Sequence, residues 1–378
     1  MTGCYDIHVC VTKMSYSRNT TKHIALQYGD RAYVLYHVCK ALADQEGERL
    51  ALGGSALRIL TNFVNAPDEL DLPGHGRVEI RKGESWNDFR SQLADSDVVV
   101  VNCGDALLYS IARHFLLFPW RRRPLVAVDL VLRRPETVRH RAMARVKRLL
   151  LTQVSHFIHY FKDWSGYQRY FGVEASRSSY VPFKVNNIHL SVGAGEAGED
   201  YVFTMGRSLR DYDTFVQAIA QLPYPAAIPQ FSFQDFEGRD RAFRWNSANI
   251  PTNLSILPDA GTRQDLIRNL ARAKIVVIPT QAASLCASGL STYLDAMYLG
   301  KCVVISEGPG ASDLLTDQAI LVRPHDVAAL SDAIRRVWED DALRCATAKA
   351  GQNYAQSLGD ETELLRRVFK QSVAAVSS

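Results

Sequence analysis

The chain has 378 residues, 47% hydrophobic and 22% charged, with a formal net charge of +4. That length exceeds what one core usually supports, and the balance is that of an ordinary globular protein, which excludes a disordered or fibrous chain. Seven cysteines, an odd number with no CxxC pair, argue against a disulfide scaffold or a cysteine zinc site and favour a reducing, cytoplasmic setting; no run of eighteen apolar residues is present to span a membrane.

In chain order, strands are expected at 7–11, 57–64, 77–80, 97–102, 125–130 and 156–161. No signal segment is expected ahead of the first of them. Helical patterns fall at 32–43, 107–117, 136–151 and 164–171, and the first half ends near Tyr180-Val181-Pro182. The clearest strand is Val98-Val99-Val100-Val101, apolar on both faces and suited to a buried parallel strand. Residues 185–200 are polar and glycine-rich and read as a linker. A second series starts at Tyr201-Val202-Phe203-Thr204-Met205, with strands at 253–257, 275–279 and 302–305 and helices at 263–273, 291–299, 328–338 and 361–376. Such alternation predicts an α/β protein whose parallel sheets are wrapped by helices.

Two loops at strand ends carry the candidate chemistry. Gly206-Arg207-Ser208-Leu209-Arg210-Asp211-Tyr212 follows the strand at 201–205. Its glycine permits a close backbone approach to a ligand, and Arg207 and Arg210 either bracket a diphosphate or solvate the loop. Ser288-Gly289-Leu290-Ser291-Thr292 opens a helix bearing Asp295, expected on the first turn. Free amides there suit a phosphate and the carboxylate a ribose. Asp211-Tyr212-Asp213 spells DxD, but an acid at a helix start is more simply a cap, so no metal is assigned. Gln281 and Ser284 lie where open α/β sheets bind ligands. Asp129 ends the strand at 125–130, where a carboxylate orients or deprotonates a hydroxyl within reach or merely terminates the strand; Gly29, in Tyr28-Gly29-Asp30-Arg31, suits a turn that opens a helix. Bulky residues 115–120 stand beside Arg121-Arg122-Arg123, with seven further cations between 133 and 148, a pattern of an anionic membrane surface or of a solvated face. No nucleic-acid recognition module accompanies it.

Several ordered blocks resemble the C-terminal half of a GT-B glycosyltransferase of family 4. Leu294-Asp295-Ala296-Met297-Tyr298-Leu299-Gly300-Lys301-Cys302-Val303-Val304 follows that family's L-E-A-M-A-x-G-K-P-V-V, and Leu321-Val322-Arg323-Pro324-His325-Asp326 follows L-V-x-P-x-D. The resemblance is good over 201–351 and architectural in the first half. It implies two Rossmann-like domains facing a central cleft: 1–184 for the acceptor, a linker at 185–200, 201–360 for the nucleotide sugar, and a helix at 361–378 crossing back to the first domain. It implies a retaining, metal-independent transfer from a nucleotide diphosphate sugar, without a resident cofactor, to a glycan or lipid-linked acceptor in polysaccharide or glycolipid synthesis.

Carried over residue by residue, Gly206 and Arg207 match the family's G-R-L-x-x-x-K loop. Its lysine falls on Tyr212, so Arg210 is the candidate for the second charge. The family's two glutamates fall on Ala287 and Asp295: the acid that binds ribose survives as Asp295, whereas the acid that contacts the sugar is missing. Ser288, Ser291 or Thr292 then take part of its role, and the amides of Gly289, Leu290, Ser291 and Thr292 face the second phosphate. Asp313 stands near the place of the G-G-x-x-E acid, Gly29 near the family's glycine loop, and Asp129 where many members carry a histidine. Alternatives are a non-catalytic partner of the same fold and a nucleotide-sugar epimerase; a cofactor-bearing lysine, which a sugar phosphorylase needs, is not seen.

Overall fold

The computed structural model describes residues 56–102, 105–190, 198–206, 209–230, 250–258 and 262–377. The expected strand at 7–11, helix at 32–43, Gly29, Arg207 and Ser208 lie outside these residues. Both sheets belong to one compact unit, Ala56–Ser378.

The first sheet begins with β1 (Leu57–Thr61), followed by a tight hairpin, β2 (Glu69–Leu72) and β3 (Gly76–Lys82). Then come α1 (Trp86–Gln92), β4 (Val98–Asn102), α2 (Asp105–Leu117), β5 (Leu125–Val128), α3 (Val138–Leu151), β6 (His156–His159), α4 (Ser165–Phe171) and β7 (Ser178–Tyr180). The order is β2-β3-β1-β4-β5-β6-β7, parallel except for β2, which runs antiparallel to β3. β4 is buried along its valines on both faces, as its unbroken apolar run requires.

The second sheet contains β8 (Tyr201–Thr204), α5 (Tyr212–Ile219), β9 (Ala226–Pro229), β10 (Leu254–Leu257), α6 (Arg263–Arg272), β11 (Ala273–Ile278), α7 (Leu290–Tyr298), β12 (Cys302–Ser306) and β13 (Ile320–Val322). Its order, β10-β9-β8-β11-β12-β13, is parallel throughout. Helices α8 (Val327–Glu339), α9 (Asp341–Leu358) and α10 (Glu361–Ser377) close the chain. α10 packs on β2, β4 and β6 of the first sheet, burying Leu364, Leu365, Val368, Phe369 and Val373. Phe369 meets Phe63 edge-on, with ring centroids 5.8 Å apart.

Several elements went unforeseen, among them the short strands β7, β9 and β13 and three others. β2 is an edge strand of four residues. α1 is short but carries a capping box between Ser85 and Asp88. α9 buries Arg344, Thr347, Gly351, Ala355 and Leu358, a helical spacing written mostly in residues that are not apolar.

Buried at the end of β6, His159 stands among Phe161, Trp164 and Tyr167. Neither ring nitrogen has a hydrogen-bond partner among the described residues. Burial above all, and His156 secondarily, lowers its pKa from 6.5 to about 3, so the native ring is neutral. The unfolded ring takes up a proton below pH 6.5. This contribution to stability is therefore complete above 6.5 and falls by about 1.4 kcal/mol per pH unit down to the folded value. His159→Leu is expected to flatten that acid limb in urea melts at pH 4.5 and 7.5; an unchanged pH slope would show that the imidazole is not its source.

Candidate active site

The C-terminal ends of the two sheets face one cleft of about 470 Å³. From the first sheet come Asp129, Val131 and Arg133. The second supplies Gly206, Arg210 and the run from Cys286 to Thr292, with Arg263 at the start of α6. Of the sequence candidates, Asp129, Gly206, Arg210, Ser288, Gly289, Leu290, Ser291 and Thr292 are thus brought together. Asp295 lines an adjoining cleft of about 560 Å³, which shares Met205, Arg263, Leu266, Ser291 and Thr292 with the first.

One end of the cleft is built from two glycine loops folded over one guanidinium. Gly206 turns with φ +122°, and any Cβ there would lie 2.5 Å from Nε and Nη2 of Arg210. Gly289 has φ +92° and a Cβ position 2.5 Å from Ile278 Cγ2. Only glycine fits at these two points without strain. Arg210 donates from Nε to Met205 O (3.0 Å) and from Nη2 to Thr292 Oγ1 (3.3 Å). Burial lowers its pKa, and Tyr212 offsets this in part. Tyr212, at the family's lysine position, donates its hydroxyl to Gly206 O at 2.5 Å and so holds the glycine turn.

Gly289 is the N-cap of α7 and no side chain caps it among the described residues; the first intrahelical bond is Tyr293 N–H to Gly289 O, 2.9 Å. The amides of Leu290, Ser291 and Thr292 consequently open toward the cleft, where the helix dipole favours an anion. Ser288 Oγ sits 2.7 Å from Ser284 Oγ. Among the lining side chains three are guanidinium groups (Arg133, Arg210, Arg263) and one is a carboxylate (Asp129).

Asp295 is corrected in one respect. α7 begins at Leu290 and its first turn holds no acid, so Asp295 lies a turn deeper and is no dipole partner. Its carboxylate accepts from the linker: Asn186 N–H (3.1 Å), Asn187 N–H (3.3 Å) and Asn187 Nδ2 (2.6 Å). Burial raises its pKa, and these bonds and Lys184 pull it back.

Asp211 caps α5, accepting from Thr214 N–H at 3.1 Å, and pairs with His325 Nδ1 at 2.5 Å. Capping therefore accounts for the DxD triplet. No cluster of three metal-ligating side chains occurs among the described residues. Asp313, expected near the donor, accepts from Gly310 N–H (2.6 Å) and from the N–H groups of Lys162 and Asp163 in the segment after β6; it lines neither cleft.

Residues missed from the sequence are Arg133, Arg263 and Cys286. Arg133 was counted among the basic stretch, and only the turn after β5 directs it inward. Arg263 opens α6, capped by Thr262, which accepts from Asp265 N–H at 3.1 Å.

Residues 197–354 match the family model described as glycosyl transferases group 1. Over this segment the chain is similar to a group 1 glycosyltransferase domain. The GT-B fold extends over both sheets. HepE of Anabaena, solved with UDP and glucose, is 16% identical with a TM-score of 0.60, aligned over 84% of this chain and 100% of its own. Sucrose-phosphate synthase of Thermosynechococcus elongatus is 17% identical with a TM-score of 0.57, over 89% and 93%. A UDP-forming trehalose-phosphate synthase of Burkholderia xenovorans is 14% identical with a TM-score of 0.53, over 78% and 77%. A search of curated proteins finds no significant match. The matched segment carries Gly206, Arg210 and the α7 N-terminus, whereas Asp129 and Arg133 reach its cleft from the preceding sheet.

Proposed function

We propose that this glycosyltransferase moves a sugar from a nucleoside diphosphate sugar to a glycan or lipid-linked acceptor, with retention and without a metal, in polysaccharide or glycolipid synthesis. The observation that carries the reading is the convergence of Arg210, Gly206 and the uncapped α7 N-terminus on one cleft. Breaking the anomeric C–O bond leaves charge on the diphosphate. A fixed guanidinium and helix amides stabilise that charge where it develops. Arg207, outside the described residues, is proposed as the second cation. The cleft containing Asp295 would take the nucleoside, with the ribose bound once the carboxylate exchanges linker amides for its hydroxyls. Asp129, reaching the first cleft from the first sheet, is proposed to orient or deprotonate the acceptor hydroxyl. UDP in the HepE structure supports trying uridine donors first.

Turnover of UDP-, GDP- and dTDP-sugars is the test. Arg207→Ala is expected to lower kcat/KM for the competent donor by about 10²-fold. Equal turnover in both proteins would remove Arg207 from the mechanism. A chain that binds these nucleotides but turns over none would favour the non-catalytic reading, for which the missing acid at Ala287 speaks.

We further infer a peripheral association with anionic membranes. No helix among the described residues is long and apolar enough to cross one. Exposed Met143, Val146 and Leu149 form a stripe on α3, beside exposed Arg139, Arg141 and Arg145. Leu117 and Trp120 are exposed at the end of α2 and just beyond it. Arginines flanking an apolar stripe suit an interfacial helix. Sedimentation with phosphatidylglycerol vesicles and not with phosphatidylcholine vesicles is expected, and Val146→Glu/Leu149→Glu is expected to weaken it; equal recovery with both lipids would refute the patch.

A further inference from the structure

Position 287, where the family's sugar-contacting acid would stand, holds an alanine that lines the cleft and lies close under Gly310. A Cβ on Gly310 would lie 2.3 Å from Ala287 Cβ and 2.8 Å from its Cα. That roof is held in place, because Tyr293 donates its hydroxyl to Gly310 O at 2.8 Å and Asp313 accepts from Gly310 N–H at 2.6 Å. Only glycine at 310 allows this close approach to Ala287.

The segment after β5 supplies polar groups to the same place. Leu130 and Leu132 are buried, whereas Asp129, Val131 and Arg133 line the cleft, an alternation of an extended chain. Tyr167 clamps the segment by donating to Leu130 O and accepting from Leu132 N–H at 3.0 Å. Arg133 then pairs with Ser284 in an antiparallel bridge, and Arg134 N–H donates to Ala283 O at 3.3 Å. These bonds strap the segment to the loop carrying Cys286, Ala287 and Ser288. The Cys286 thiol is pushed up to about 11 by burial first and the Asp129 carboxylate second, while Arg133 pulls it down. Both charges therefore act on one sulfur beside Ala287.

We propose that Asp129 and Arg133, carried by the first sheet, read the transferred sugar in place of an acid at 287. This rests on the donor reading above. A carboxylate accepts from sugar hydroxyls and a guanidinium donates to their oxygens, so the pair selects a neutral, hydroxylated sugar from the side opposite the nucleotide. Asp129 keeps its acceptor role alongside this contact.

The experiment titrates full-length wild type, Arg133→Ala, Arg133→Lys and Asp129→Asn with UDP, GDP, UDP-glucose and GDP-mannose by calorimetry. The nucleoside diphosphate Kd is expected to stay within about twofold in each variant. The Kd of the sugar nucleotide that wild type binds is expected to rise about tenfold in Arg133→Ala and Asp129→Asn, with partial recovery in Arg133→Lys. Parallel losses for both ligands, or no loss for either, would overturn the proposal and leave the donor reading intact. A wild type that binds none of the four would overturn both.

Discussion

Arg210→Ala is expected to lower kcat/KM for the donor by about 10²–10³-fold, the scale of removing one preorganised donor from a developing anion. The side chain touches both loops of the proposed phosphate end, through Met205 O on one and Thr292 Oγ1 on the other. Its loss also leaves a void beneath Gly206 and Gly289, so a lower melting temperature is expected as well. Arg210→Lys keeps the charge but has one ammonium where the guanidinium presents a fork, and is expected to restore little activity. Kinetics at saturating donor, together with the nucleotide Kd, separate the parts. A fall in kcat with a nearly unchanged Kd would place the effect in the transition state, whereas wild-type kcat/KM in Arg210→Ala would remove the residue from the reaction.

Gly289→Ala is the second large effect. Its φ of +92° is unfavourable for an L side chain, and the new methyl would meet Ile278 Cγ2 at 2.5 Å. The loop must move, carrying the Leu290, Ser291 and Thr292 amides out of line. A fall in nucleotide affinity of at least about tenfold is expected, with a stability loss of about 1–3 kcal/mol. Gly74→Ala is the control: its φ is +88° and nothing lies within 4 Å of the new carbon. It is expected to lose some stability and no activity. Equal nucleotide affinity in the two variants would show that the opening of α7 does not hold the nucleotide.

Much of this arrangement was legible because it is written in apolar period. Val98–Asn102, Ala273–Ile278 and Cys302–Ser306 are buried strands that residue type announces, and their observed ends differ from expectation by one or two positions. The glycine turns at 206 and 289 were legible because the backbone there admits little else. α9 was not, since its buried positions are arginine, threonine, glycine and alanine as well as leucine. Nor was the proximity of Ala287 and Gly310, two small residues 23 positions apart whose contact exists only after β12 has paired with β11. Arg133 was read as surface charge because its inward side follows from Leu130 and Leu132 entering the core, which needs the turn at Asp129, whose φ is +49°. Asp295 looked available to a ligand because its bonds to Asn186 and Asn187 span more than a hundred residues.

The return of α10 to the first sheet has a consequence for how the chain holds together. Five apolar side chains from the last seventeen-residue helix complete a core begun some three hundred positions earlier. A fragment that stops before Glu361 is expected to lose these five side chains from the core of the first sheet and to expose apolar surface that aggregates.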